Sequence, residues 1–121
     1  MSTVLIIDDS PTELHLFQNM LEKNGFTTLV ADSGEEGVQK AKTSRPNCIL
    51  MDVVMPGMNG FQATRKLSQD PATKGIPVII ITTKDQETDK IWGMRQGAVE
   101  YLVKPISEDQ LIHMINAVMA A

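Results

Sequence analysis

Five short apolar runs, about 20 to 25 residues apart, constrain this chain more than any other feature of it. They are Val4-Leu5-Ile6-Ile7, Thr28-Leu29-Val30-Ala31, Cys48-Ile49-Leu50-Met51, Val78-Ile79-Ile80-Ile81 and Tyr101-Leu102-Val103. The first, third and fourth are unbroken rather than alternating, which suits strands covered on both faces of a parallel sheet. The second and fifth are weaker and suit edge strands. Every gap can hold a helix, and several open on a start signal. Ser10-Pro11-Thr12-Glu13 offers an N-cap serine, proline at the first helical position and glutamate three residues after the cap, a capping box. Leu14, Phe17 and Leu21 then mark one face, and Gly25 stands where a C-terminal cap belongs. Ser33-Gly34-Glu35-Glu36 and Ser107-Glu108-Asp109-Gln110 repeat the start pattern. The last helix is expected to bury Leu111, Ile115 and Val118, and further helices are expected over about residues 60–69 and 86–96.

Strand–helix alternation repeated five times predicts an α/β fold, a single doubly wound five-stranded parallel sheet with five helices, for which 2-1-3-4-5 is one common strand order. At 121 residues the chain is one domain long. No linker, charge block or repeat divides it, so residues 1–121 are expected to form one domain with no effector domain. The composition, 42% hydrophobic and 21% charged, argues against disorder. The net charge of -4 and the lack of a Lys/Arg cluster argue against direct nucleic-acid binding. No apolar run reaches the ~18 to 20 residues of a membrane span, and the N-terminus is strand-like rather than a signal peptide, so a cytoplasmic protein is expected. The single cysteine, Cys48, lies within an apolar run and is expected to be a buried core residue.

In such sheets the ligand site lies at the carboxyl ends of the strands. Those ends carry Asp8-Asp9, Asp52, Thr82-Thr83 and Lys104-Pro105. If the order is 2-1-3-4-5, strands one and three are neighbours and three carboxylates meet, flanked by a hydroxyl and an ammonium. Asp8-Asp9 alone could be helix-capping acids. Joined by Asp52 they repel one another, and a hard divalent cation such as Mg²⁺ relieves the conflict. Asp52 is then either a turn residue accepting backbone hydrogen bonds or a nucleophile. A carboxylate beside Mg²⁺, a cation and a hydroxyl has what phosphoryl transfer needs.

His15 and His113 are expected at the surface, since neither has a second ligand at metal spacing. Trp92 reads first as core and second as an anchor for a partner. Met51, Met55 and Met58 read as gap-fillers, and Gly57 and Gly60 as turn residues.

Asp8-Asp9, Asp52-x-x-Met55-Pro56-x-x-x-Gly60, Thr82 and Lys104-Pro105 together resemble the receiver domain of two-component response regulators, a flavodoxin-like fold, over the whole chain. The resemblance implies that Asp52 accepts a phosphoryl group from a histidine kinase, with Lys104 and Thr82 assisting. It implies Mg²⁺ ligation by Asp9, Asp52 and the Val54 carbonyl, with Asp8 acting through water. It further implies a cis Lys104-Pro105 peptide, a switch built on Thr82 and Tyr101, and protein binding through the fourth helix, fifth strand and fifth helix. Such a protein signals as a monomer or a weak phosphorylation-dependent dimer, and is not a turnover enzyme. The lesser alternative for Tyr101 is a half-buried edge aromatic with its hydroxyl in water.

Three positions depart from the common pattern. Thr83 replaces a smaller residue; Val54 cannot position an attacking water with its side chain and Lys84 adds a cation near the site mouth, and from these last two slow hydrolysis of the phosphoryl group is expected. The segments Asp9–Glu13, Asn59–Arg65 and Thr82–Lys90 are similar to stand-alone twitching-motility regulators of the PilH type, which serve chemotaxis-like kinases controlling type IV pili. A phosphate sink competing with another regulator is an alternative role. A flavin carrier of flavodoxin type is disfavoured by the acidic first loop. An aspartyl phosphatase would want a second acid where Val54 stands.

Overall fold

The computed structural model describes residues 2–120. The elements run β1 (Thr3–Ile7), α1 (Pro11–Lys23), β2 (Thr27–Ala31), α2 (Gly34–Ser44), β3 (Cys48–Met51), α3 (Gly60–Gln69), β4 (Val78–Thr82), α4 (Glu87–Arg95), β5 (Glu100–Val103) and α5 (Glu108–Ala120). All strand pairs are parallel, in the predicted order β2-β1-β3-β4-β5, with β2 and β5 at the edges.

The unbroken apolar runs have a simple cause. Side chains alternate across a strand, and both faces of this sheet are covered. Leu5, Ile7, Ile49, Met51 and Ile80 form one half-core with Val38 and Ala41 of α2 and Ala63 and Leu67 of α3. Val4, Ile6, Leu50, Ile79 and Ile81 form the other with Phe17 and Leu21 of α1 and Leu111 and Ile115 of α5. Burying each large aliphatic side chain contributes about 1.5–3 kcal/mol. Val118 is only partly buried beside that second half-core, which also takes Cys48. Burial pushes the Cys48 thiol up to about 12, so the thiolate that reacts is scarce.

Helix ends refine the expected caps. Ser10 accepts the Glu13 N–H and Gly25 adopts φ +89° beyond the end of α1. The capping box, however, is only half made. The Ser10 N–H goes to Asp8 instead, at 3.0 Å, and the Glu13 carboxylate turns elsewhere. At α2 the Glu36 carboxylate likewise takes the Asp32 N–H, one residue before the cap. Ser107 and Gln110 do make the reciprocal pair. So do Asn59 and Gln62, which the serine-based pattern did not reveal.

Helix α4 departs most from expectation. Its only buried residue is Gly93, where a Cβ would stand 3.0 Å from both Ile80 and Tyr101. Trp92 is therefore not core; it is 48% exposed, with Ile91 and Met94 exposed beside it. The helix has no apolar stripe to turn inward and packs closely through a glycine.

Candidate functional site

β1 and β3 lie side by side, Ile7 opposite Met51, so the residues after them emerge together. Two backbone bonds carry the sheet one residue further: Asp8 N–H donates to Ala31 and Asp52 N–H to Ile7. Asp8, Asp9 and Asp52 thereby each offer a carboxylate oxygen within 4.8 Å of the others. Asp8 is buried, Asp52 partly buried and Asp9 exposed. The Asp8 oxygens are already engaged, Oδ1 by the Ser10 N–H and Oδ2 by Lys104 at 2.9 Å. Asp52 Oδ1 accepts the Val53 N–H at 2.9 Å, while Oδ2 faces the Lys104 ammonium at 3.9 Å.

Lys104 is held at the end of β5 by its N–H donating to the Thr82 carbonyl, and the Lys104–Pro105 peptide is cis. Its Nζ also stands 3.0 Å from Glu13 and 5.8 Å from the centre of the Phe17 ring. Burial works against this ammonium, but hydrogen bonds to Asp8 and Glu13 and the Asp52 charge outweigh it, so its pKa lies above the ordinary lysine value. Burial also raises the Asp52 pKa. Lys104 pulls it back, the Asp8 charge adds to the rise, and the Val53 N–H and Thr82 hydroxyl oppose it. Glu13 belongs to this cluster, although in the sequence it reads only as a helix-start residue. Its position one turn after Asp9, at the same end of the sheet, was the available signal.

Thr82 is the last residue of β4 and fully buried, its hydroxyl oxygen accepting the Lys84 N–H at 3.3 Å. Tyr101 lies on the edge strand β5, but it is not half-buried and its hydroxyl is not left to water. It is 6% exposed, and its hydroxyl donates to the Lys84 carbonyl at 2.8 Å. Burial, aided by Asp89, Asp52 and Asp85, pushes its phenol up to about 12. Lys84 does not stand free at the site mouth: its ammonium pairs with Asp89 of α4 at 3.5 Å. Thr83 is exposed and lines a cavity of about 210 Å³ shared with Glu13, Phe17, Lys104 and Pro105. The Val54 side chain faces solvent.

Gly57 adopts φ +71°, a turn geometry that favours glycine, but Gly60 is constrained differently. A Cβ there would lie 2.0 Å from the Asp52 carbonyl oxygen and 2.7 Å from the Val53 Cα. Only glycine lets α3 begin against the backbone that carries Asp52. His15 and His113 are exposed, as expected; Met51 and Met55 are buried and Met58 partly so.

The donor set fits a hard cation. Asp8, Asp9 and Asp52 converge on one point while Asp8, Glu13 and Asp52 face the Lys104 ammonium, and oxygen donors of this kind suit Mg²⁺.

Residues 4–116 match the response regulator receiver domain family. The chain is 58% identical to protein PilH of Pseudomonas aeruginosa over 120 residues, 99% of each chain. It is 33% identical over 116 residues to the alkaline phosphatase synthesis transcriptional regulatory protein PhoP of Bacillus subtilis, covering 96% of this chain and 48% of that protein. Among solved structures, chemotaxis protein CheY4 of Vibrio cholerae superposes with a TM-score of 0.92 at 30% identity, over 98% of both chains. A putative response regulator from Chloroflexus aurantiacus gives 0.94 at 31% identity, over 99% of this chain and 98% of that one. An acidic cluster on adjoining strand ends, a lysine reaching into it from β5 and a family match along nearly the whole chain lead to one assignment: this protein belongs to the response regulator receiver domain family.

Proposed function

We propose that the protein is a single-domain response regulator that accepts a phosphoryl group on Asp52 from a histidine kinase and signals by phosphorylation-dependent protein binding. The observation that carries this reading is the approach of Asp8, Asp9 and Asp52 to within 4.8 Å, with Lys104 3.9 Å from Asp52. Asp52 Oδ2 attacks the phosphorus, its bond to phosphorus forming as the donor's phosphorus–nitrogen bond breaks. Lys104 holds charge beside the transferred oxygens, and the Thr82 hydroxyl turns to donate to one of them. Asp9, Asp52 and the Val54 carbonyl would hold Mg²⁺, with Asp8 acting through water since both its oxygens are engaged. Bound there, the ion neutralises the carboxylates and the phosphoryl oxygens.

Thr82 and Tyr101 form the switch. Both reach Lys84, one through its N–H and the other through its carbonyl, so a movement of Thr82 is felt by the ring and by the start of α4. The exposed Ile91, Trp92, Met94 and Val103 give the output face of α4, β5 and α5 an apolar anchor, which favours a binding output over a pure phosphate sink. Similarity to PilH together with the motif resemblance supports a chemotaxis-like pathway controlling type IV pili, served by a cytoplasmic monomer or weak dimer. Among the described residues no helix is long and apolar enough to cross a membrane.

Intact mass after incubation with acetyl phosphate tests the reading. A gain of one phosphoryl group that requires Mg²⁺ and disappears in Asp52→Ala is expected; a gain in Asp52→Ala, or none in the wild type, overturns it.

A further inference from the structure

Glu13 has been released from its capping role, and its carboxylate has gone to Lys104. We propose that Glu13 is a positioning residue that holds the Lys104 ammonium in the resting site and opposes its transfer to an anion on Asp52. The inference rests on the phosphoacceptor reading of Asp52.

Asp8 occupies the Ser10 N–H, which the third residue of a capping box would otherwise take. Glu13 therefore meets Lys104 at 3.0 Å, as close as Asp8 does at 2.9 Å. Asp52 is further away, at 3.9 Å, beyond normal hydrogen-bond length. An ammonium has three donors; Asp8 and Glu13 engage two, and the Phe17 ring at 5.8 Å limits where the stem can swing. The Glu13 side chain is 29% exposed and that of Lys104 is 11%, so solvent screens the contact incompletely. A phosphoryl group on Asp52 competes with Glu13 for this charge, and Lys104 exchanges one oxygen partner for the other. Glu13 thus raises the site's affinity for a cation and lowers it for an anion. An acidic residue that merely stabilised the first turn of α1 would move neither affinity.

The test is Glu13→Gln, which keeps the shape and the Ser10 cap but removes the charge. Mg²⁺ binding is measured by calorimetry, and beryllofluoride binding at saturating Mg²⁺ by fluorine NMR, with melting temperature recorded alongside. The variant is expected to bind Mg²⁺ more weakly and beryllofluoride more tightly, each by roughly two- to fivefold, with both shifts shrinking in high salt. Shifts in the same direction, or either constant unmoved, overturn the proposal; a lower melting temperature with both constants unmoved assigns Glu13 to helix stability alone. Wild-type protein that binds no beryllofluoride would instead reject the phosphoacceptor reading, and this proposal with it.

Discussion

At Asp52 two demands conflict: the nucleophile proposed above must keep its charge, yet burial and the neighbouring Asp8 carboxylate both raise its pKa. A carboxyl raised above its unfolded value stabilises the fold relatively at low pH, and that contribution is lost as pH rises through the folded value. Asp52→Asn should therefore raise the melting temperature of metal-free protein at pH 7 by a few degrees, with the gain vanishing below the ordinary aspartate range near pH ~3.9. Calorimetry in chelator across that range checks it, and a lowered melting temperature at pH 7 would contradict it. Gly60→Ala sets a Cβ against the Asp52 carbonyl; it should cost several kcal/mol in denaturant unfolding and weaken Mg²⁺ binding. The phosphoryl group should decay over minutes or longer, because Val54 offers no polar side chain to a water; loss within seconds in a mass time course would refute this. Asp8, Asp9, Asp52, Thr82 and Lys104 were legible in the sequence because topology alone gathers strand ends. Glu13 was not, because its partner depends on which acceptor wins the Ser10 N–H, a choice that hydrogen-bond geometry makes.

Among the elements, α4 is the one most easily displaced. It buries only Gly93 and is linked to β5 by the glycine's contact with Tyr101 and to the preceding loop by the Lys84–Asp89 pair. Few buried apolar contacts imply a low cost of local opening. Amide hydrogen exchange should be faster in α4 than in α1, α2, α3 or α5. Tyr101→Phe removes the bond to the Lys84 carbonyl, worth about 1 kcal/mol, and should speed exchange at Lys84–Gln86 while leaving β1 and β3 unchanged; equal protection in both proteins would deny the tyrosine its role. The strands were legible because doubly covered runs are written without alternation. The packing of α4 was not, since Ile91, Trp92 and Met94 have core-like composition but no stripe that commits them inward.

At the scale of the molecule, the sheet divides the interior, and the site spans the division. Lys104 stands over Phe17 in the half-core of α1 and α5, while Tyr101 lies in the half-core of α2 and α3. A cation that binds only the folded state should stabilise the whole domain, by about 2.7 kcal/mol at a hundred times its Kd. Mg²⁺ should accordingly raise the melting temperature of the wild type and much less that of Asp9→Asn; equal gains in both would detach the metal from the acidic cluster. The doubly wound parallel sheet followed from the alternation, while the pairing of β1 with β3 needed the strand order 2-1-3-4-5, and the division of labour between the two half-cores needed side-chain packing. The buried Cys48 has a practical consequence. As the chain's one cysteine, with its thiol pushed up to about 12, it leaves the native protein silent toward maleimide and similar reagents. A spin label or fluorophore attached through Trp92→Cys would report from the exposed face of α4 without a competing background signal.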